Sequence, residues 1–160
     1  MVKYLLLCAL LFLLSCSESS SKTEEKDKFV PEVFANFPEQ PFLNINWAEA
    51  NEKVSEKLAA QGYELQLGSE DHFYNSASEI EFVIADFSTH LVGFKVFMKS
   101  EEDLKNNEDY LNFFNGYAKQ SELSDQFSTF EIHSSSNEFK ITQYVQEDFI
   151  RFEFTLKDAH

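Results

Sequence analysis

The amino-acid sequence predicts an α+β domain: a two-layer sandwich in which a mostly antiparallel sheet carries two amphipathic helices on one face. Three observations lead there. Apolar residues recur at helical spacing in two separate segments. Several short segments alternate apolar and polar residues with a period of two, the mark of strands with one buried face. All three prolines, Pro31, Pro38 and Pro41, fall in one stretch before the first helical segment, so no proline interrupts the elements that follow.

That proline-containing stretch, residues 29–46, also holds Phe29, Val30, Val33, Phe34, Phe37, Phe42, Leu43 and Ile45. Proline breaks long helices and inner strands. The stretch therefore reads as an extended strap, with a helical turn after Pro31, whose phenylalanines pack onto the domain. An exposed aromatic contact segment is the competing reading.

Asn46 followed by Glu49 forms a capping-box pattern. Trp47, Ala50, Val54, Leu58 and Gln61 then keep helical spacing, and Gly62 suits the left-handed residue after a helix end. The expected helix spans 47–61. Short strands are expected at 63–67 and 72–75.

In 79–86, Ile80, Phe82 and Ile84 alternate with Glu79, Glu81 and Ala85. In 90–99, Val92, Phe94, Val96 and Met98 alternate with Leu91, Lys95 and Lys99. Both read as half-buried strands, joined as a hairpin through residues 86–89. Ser100-Glu101-Glu102-Asp103 resembles a second capping box, and Leu104, Leu111, Phe114 and Ala118 predict a helix over 101–119. Strands are expected at 127–133, 138–145 and 148–157, on the alternation of residues such as Phe130, Ile132, Phe139, Ile141, Ile150, Phe152 and Phe154. The uncovered face would carry Glu79, Glu81, Lys95, Lys99, Lys140, Thr142, Arg151, Glu153 and Thr155.

The two halves read alike. Val92, Phe94, Val96, Met98 and Lys99 superimpose in sequence on Ile150, Phe152, Phe154, Leu156 and Lys157. A tandem helix–strand–strand–strand repeat is the corresponding expectation.

The first 16 residues carry a different kind of signal. Lys3 precedes an apolar run over residues 4–14, which ends at Leu13-Leu14-Ser15-Cys16. As a helix the run rises about 16 Å, against a hydrocarbon core of roughly 30 Å, so it is too short to span a bilayer. A positive start followed by a short apolar core is the pattern of an export signal. The junction resembles the lipobox of bacterial lipoprotein signals: Leu13 stands at −3 and small Ser15 at −1, although Leu14 departs from the usual residue at −2. The resemblance covers residues 1–16 alone. It implies a diacylglyceryl group on the Cys16 sulfur, cleavage before Cys16, acylation of the new amine, and location in the cell envelope, on the periplasmic side or at the cell surface. One acyl chain holds a protein only marginally, whereas two or three make release slow.

On this reading residues 1–15 are a signal peptide and 16–28 the lipidated cysteine and its tether. Residues 29–160 form a single α+β domain. Residues 17–28 contain no apolar side chain, so they form a disordered tether with a typical end-to-end distance of about 20 Å.

Loss of the leader removes Lys3, leaving 12 basic against 28 acidic residues, a net charge of −16. Such acidity disfavours nucleic acid, whose phosphates need Lys and Arg, and disfavours adhesion to anionic lipid. It favours a protein partner with a basic surface. Cys16 is the only cysteine beyond the leader and would be consumed by lipidation, so neither a disulfide nor a thiolate site is expected.

A search for chemistry returns little. His72, His90, His133 and His160 include no pair at metal-binding helical spacing. Gly62, Gly68, Gly93 and Gly116 are too scattered for a phosphate-cradling loop. Glu79 and Glu81 lie about 7 Å apart on one strand face, with Lys95 as an expected ion-pair partner. Glu101-Glu102-Asp103 lacks the spaced oxygen ligands of a calcium loop. His133 beside Ser134 suggests hydrolysis only if an acid converges on both, because adjacent strand residues point to opposite faces. No catalytic residue, cofactor or metal is expected, and Cys16 is the one site residue. The expected function is a membrane-anchored, non-enzymatic protein-binding module. An inhibitor or immunity-type protein that blocks a basic partner, and a small-molecule or lipid carrier with an aromatic cavity, are the alternatives.

Overall fold

The computed structural model describes residues 31–85, 88–99, 103–124 and 126–157; side chains are described for these except at 103–106. Cys16, the leader and the tether lie outside the described residues, as do Ser100, Glu101, Glu102 and His160. Among the described residues no helix is long and apolar enough to cross a membrane.

The fold is α+β. Helix α1 (Asn51–Ala60) is followed by strands β1 (Glu64–Leu65), β2 (His72–Asn75), β3 (Ile80–Ile84) and β4 (Gly93–Lys99). Helix α2 (Asp103–Asn115) is followed by β5 (Ala118–Leu123), β6 (Phe127–His133), β7 (Glu138–Val145) and β8 (Phe149–Leu156). Every described strand pair is antiparallel, and the eight strands form one sheet in the order β1-β2-β3-β4-β8-β7-β6-β5. The two groups of four strands therefore meet where β4 pairs with β8, with Val96 opposite Phe152.

Alternation decides which side chains enter the core. Ile80, Phe82, Phe94, Val96, Met98, Ile150, Phe152, Phe154, Phe139, Ile141, Phe130 and Ile132 all point to one side and are buried. Rings stack across the central strands: Phe94 lies 4.4 Å from Phe154 and 4.9 Å from Phe82 between centroids, at 12° and 20°.

The helices contribute Val54 and Leu58 from α1 and Tyr110 and Phe114 from α2. They do not cover this face alone. The strap does much of the covering, after one 3-10 turn at Glu32–Phe34 that follows Pro31. Phe34 sits 5.3 Å from Phe114 and 6.0 Å from Phe152, Phe42 sits 5.0 Å from Phe82, and Trp47 sits 5.4 Å from both Phe94 and Phe139. The strap phenylalanines at 34, 37 and 42 are core residues and not an exposed contact segment.

Several expected boundaries move. The first helix begins at Asn51, not at Trp47, because Ala48 has φ 56° and Ala50 forms a bridge to His90. The Asn46–Glu49 pattern survives in part: the Asn46 N–H donates to the Glu49 carboxylate at 3.2 Å. At the other end Gly62 has φ 83°, and the Tyr63 N–H reaches the Leu58 carbonyl at 3.0 Å, which completes a Schellman stop. The strand expected at 63–67 shrinks to two residues, and the one expected at 90–99 starts at Gly93. The second helix ends at Asn115, and the expected tail at 116–119 instead leads into β5, a strand absent from the sequence reading. β5 is an edge strand with mostly exposed side chains, so it carries no alternation to detect. Its polar residues and a bulge between Ala118 and Gln120 blunt the edge.

Lys57 fastens the strap to α1. Its ammonium donates to the Asn44 carbonyl at 2.7 Å and to Glu49 at 2.8 Å. Burial opposes ionisation of Glu49, but the Lys57 hydrogen bond, the Asn46 N–H and the charges of Lys57 and Lys53 outweigh it and hold the carboxyl below its ordinary range. A carboxyl whose folded pKa lies below its unfolded value stabilises the fold above the unfolded value and loses that contribution as pH falls through the folded one.

Two outcomes follow for urea unfolding. Phe94→Ala or Phe114→Ala is expected to cost about 3–5 kcal/mol, since each ring is fully buried among others. Lys57→Ala is expected to cost about 0.5–1 kcal/mol at neutral pH, and the difference from wild type should shrink as Glu49 protonates in acid, leaving the share of the Lys57 bond to the Asn44 carbonyl.

Candidate functional site

The sheet face that points away from the core is the candidate site. Cross-strand register sets side chains from six strands in one row: Tyr74 on β2, Glu81 on β3, Phe97 on β4, Arg151 on β8, Tyr144 on β7 and Phe127 on β6. Phe127 is exposed, and the others are half-buried. Phe149 adds to the row from beside Phe97, with ring centroids 5.6 Å apart. The Arg151 guanidinium lies 4.1 Å above the Tyr144 ring, a cation–π contact. Its Nε is 3.3 Å from Glu153 yet has no hydrogen-bond partner, so the arginine fork is incompletely used. The row is aromatic on both sides of one acid and one base.

The next row is polar and closes on itself. Lys95 pairs with Glu153 at 3.5 Å, and Thr142 and Thr129 continue it across β7 and β6. Glu79 pairs with Lys99 at 3.2 Å, Glu131 with Lys157 at 2.9 Å, and Glu81 with the His72 ring at 3.2 Å. These contacts correct the expectation that Lys95 neutralises Glu79 and Glu81. Glu79 lies outside β3 at φ 53°, so the two carboxylates do not form a strand-spaced pair. Lys95, Lys99, Lys140, Arg151 and Lys157 all belong to this face, which brings it near charge balance on a chain of net charge −15.

At one end of the sheet, the β6–β7 turn borders an open cleft of about 500 Å³ lined by His133, Ser134, Ser135, Ser136, Asn137, Glu138, Leu156 and Lys157. His133 Nδ1 lies 2.8 Å from Glu138. The Ser134 hydroxyl donates to the Asn137 carbonyl at 3.3 Å and accepts from the Asn137 N–H at 3.1 Å. The serine thus shapes the turn, while the histidine and glutamate form a cross-strand pair. Ser135 donates from its N–H and its hydroxyl to Glu39 at 2.9 and 2.7 Å, and these bonds lower the Glu39 pKa. They tie the strap to this turn. Burial pushes Tyr63 and Tyr110 up to about 12, so both phenols stay neutral within the core. Among the described residues no group of His, Cys, Asp and Glu could hold a metal ion.

Sequence reasoning placed Arg151, Glu81, Lys95 and Glu153 on this face but did not see the aromatic row. Phe97 was visible as the one large apolar residue out of phase in β4. Phe149 stands two residues before Arg151 on β8 and Tyr144 faces Arg151 across the β7–β8 hairpin, whereas Phe97 becomes its neighbour only through pairing of β4 with β8, strands distant in sequence. No protein-family model matches the chain, and no curated protein or solved structure shows significant similarity to it.

Because the row is half-exposed, its rings contribute little to the core. Phe97→Thr, which keeps β propensity, is expected to cost about 1 kcal/mol or less in urea unfolding, several-fold less than Phe94→Ala on the opposite face of the same strand.

Proposed function

We propose that the protein is a membrane-anchored envelope lipoprotein whose folded part is a non-enzymatic protein-binding module. The observation that carries the binding half is the half-exposed row Tyr74–Glu81–Phe97–Arg151–Tyr144. Tyrosine, phenylalanine and arginine are enriched in the cores of protein interfaces, where rigid rings and a planar cation bury large area at low entropic cost. The anchoring half rests on Cys16 and the pattern before it.

On this reading the domain is a two-layer sandwich with both helices and the strap on one face. A tandem repeat of one helix and four strands produces two half-sheets joined at β4 and β8; the matching element order of the halves supports it. The other face is then left for a partner. The fully buried rings of Phe82, Phe94 and Phe154 stack on one another, which favours a binding module over a carrier with an aromatic cavity. The acidic charge outside the open face suits a partner with basic margins, including a target held by an inhibitor.

Intact-mass analysis of the full-length protein from a bacterial host tests the anchor. The expected species begins at Cys16 and carries acyl mass, and Cys16→Ser should lose that mass. A retained leader, or a free thiol at Cys16, overturns the placement. A photo-crosslinking residue at position 97 of the anchored protein is expected to trap protein, whereas one at Lys53 on α1 is not. No crosslinked product from position 97 would remove the binding role.

A further inference from the structure

Building on the reading of the open face as a protein-binding surface, we propose that its occupant is a short protein segment with large apolar side chains flanked by lysine or arginine, seated on Phe97, Tyr144 and Phe127. Strand register separates what the sheet needs from what has been added to it. A half-turn about the central Lys95–Glu153 pair lays the first four strands on the last four. It carries the pairs Phe82–Val96, Phe73–Phe82 and Leu65–Phe73 onto Ile141–Phe154, Phe130–Ile141 and Ser121–Phe130, and each of these is a pair in the sheet. The same turn carries Phe97–Arg151–Tyr144 onto Thr155–Gly93–Ala85, which are neighbours in the same way. One row holds two rings and a guanidinium, and its counterpart holds small side chains. The pairings are met without the rings, so the half-exposed aromatic row is not a requirement of the architecture. An exposed apolar surface that the fold does not need marks a contact.

Charge identifies the occupant. The carboxylates of Glu79, Glu81, Glu131, Glu138 and Glu153 each lie within 3.5 Å of a lysine or a histidine. Three acids at the aromatic end of the face differ. Glu122 on β5 is exposed beside Thr129, two residues along β6 from Phe127, and Glu147 and Asp148 are exposed in the turn between Tyr144 and Phe149. Among the described residues none of the three forms an ion pair. Arg151 and Lys95 share Glu153, which leaves one positive charge against these three negative ones. The patch is apolar at its centre and negative at its margin, the complement of an apolar segment with cationic ends. Phe97 and Phe127 stand three strand spacings apart, about 14 Å, which four or five extended residues span.

Fluorescence anisotropy with the full-length protein in detergent tests this. The probe is a labelled peptide of two tyrosines and two leucines with two lysines at each end. It is expected to bind about tenfold or more tightly than the same peptide ended by glutamates, and than one with serines at its centre. Phe97→Thr and Tyr144→Thr should each weaken it about tenfold. The Glu122→Gln/Glu147→Gln/Asp148→Asn triple variant should do the same and flatten the dependence on salt. Near-wild-type urea midpoints for these variants exclude misfolding. Equal affinity for lysine-ended and glutamate-ended peptides, or binding indifferent to Phe97→Thr and to the triple variant, overturns the proposal. If the position-97 crosslink to protein persists in that case, the binding role stands without this occupant; if that crosslink is absent as well, both fall.

Discussion

The structure depends on how phenylalanine from the strap closes over the middle of the sheet. Phe34 enters between α2 and the β8 strand, near Phe114 and Phe152, and Phe42 and Trp47 cover Phe82, Phe94 and Phe139. Among the described side chains α1 buries Val54 and Leu58, and α2 buries Tyr110 and Phe114, whose rings reach Phe152; the strap rings complete the cover. Both cysteines precede the described residues, so no disulfide holds this fold and aromatic burial must do so. The polar ties at Lys57 and Glu39 hold the strap in the place where its rings are useful.

Covering one side of the sheet leaves consequences on the other. A pleated strand must send alternate side chains to the far face, and once Phe94, Val96 and Met98 fill the core, Lys95, Phe97 and Lys99 have no other destination. Most polar members of that face find partners within the chain, as Lys95 with Glu153 and Lys157 with Glu131. Exposed pairs of this kind add little stability. They do shape the surface: ion-paired rows lie beside one aromatic row, in which Arg151 is stacked on Tyr144 and incompletely hydrogen-bonded.

The end of the sheet shows the opposite arrangement. His133, Glu138, Ser134 and Glu39 sit close together around the β6–β7 turn, and in sequence His133 beside Ser134 invites a catalytic reading if an acid converges on both. Their hydrogen bonds go to shaping the turn, to the cross-strand pair and to holding the strap. Proximity of suitable residue types is therefore weak evidence here, and the partner of each polar atom is the stronger guide.

Much of the fold was legible because it is written locally. Period-two alternation at Ile80, Phe82 and Ile84 and at Phe94, Val96 and Met98 marks strands in any context, and Gly62 marks a helix stop because a left-handed residue is cheapest as glycine. β5 was hidden because an exposed edge strand buries neither face and shows no period. The start of α1 was misread because the positive φ of Ala48 and the bridge from Ala50 to His90 are imposed by tertiary contact. By itself, the sequence determined the α+β class, the strap and the residues that alternate into the core, since these follow from short-range spacing. Only the tertiary structure decided that β4 lies beside β8, and with it that Phe97 and Arg151 are neighbours. Strand order and register are long-range choices, set by how the whole apolar face is buried at once.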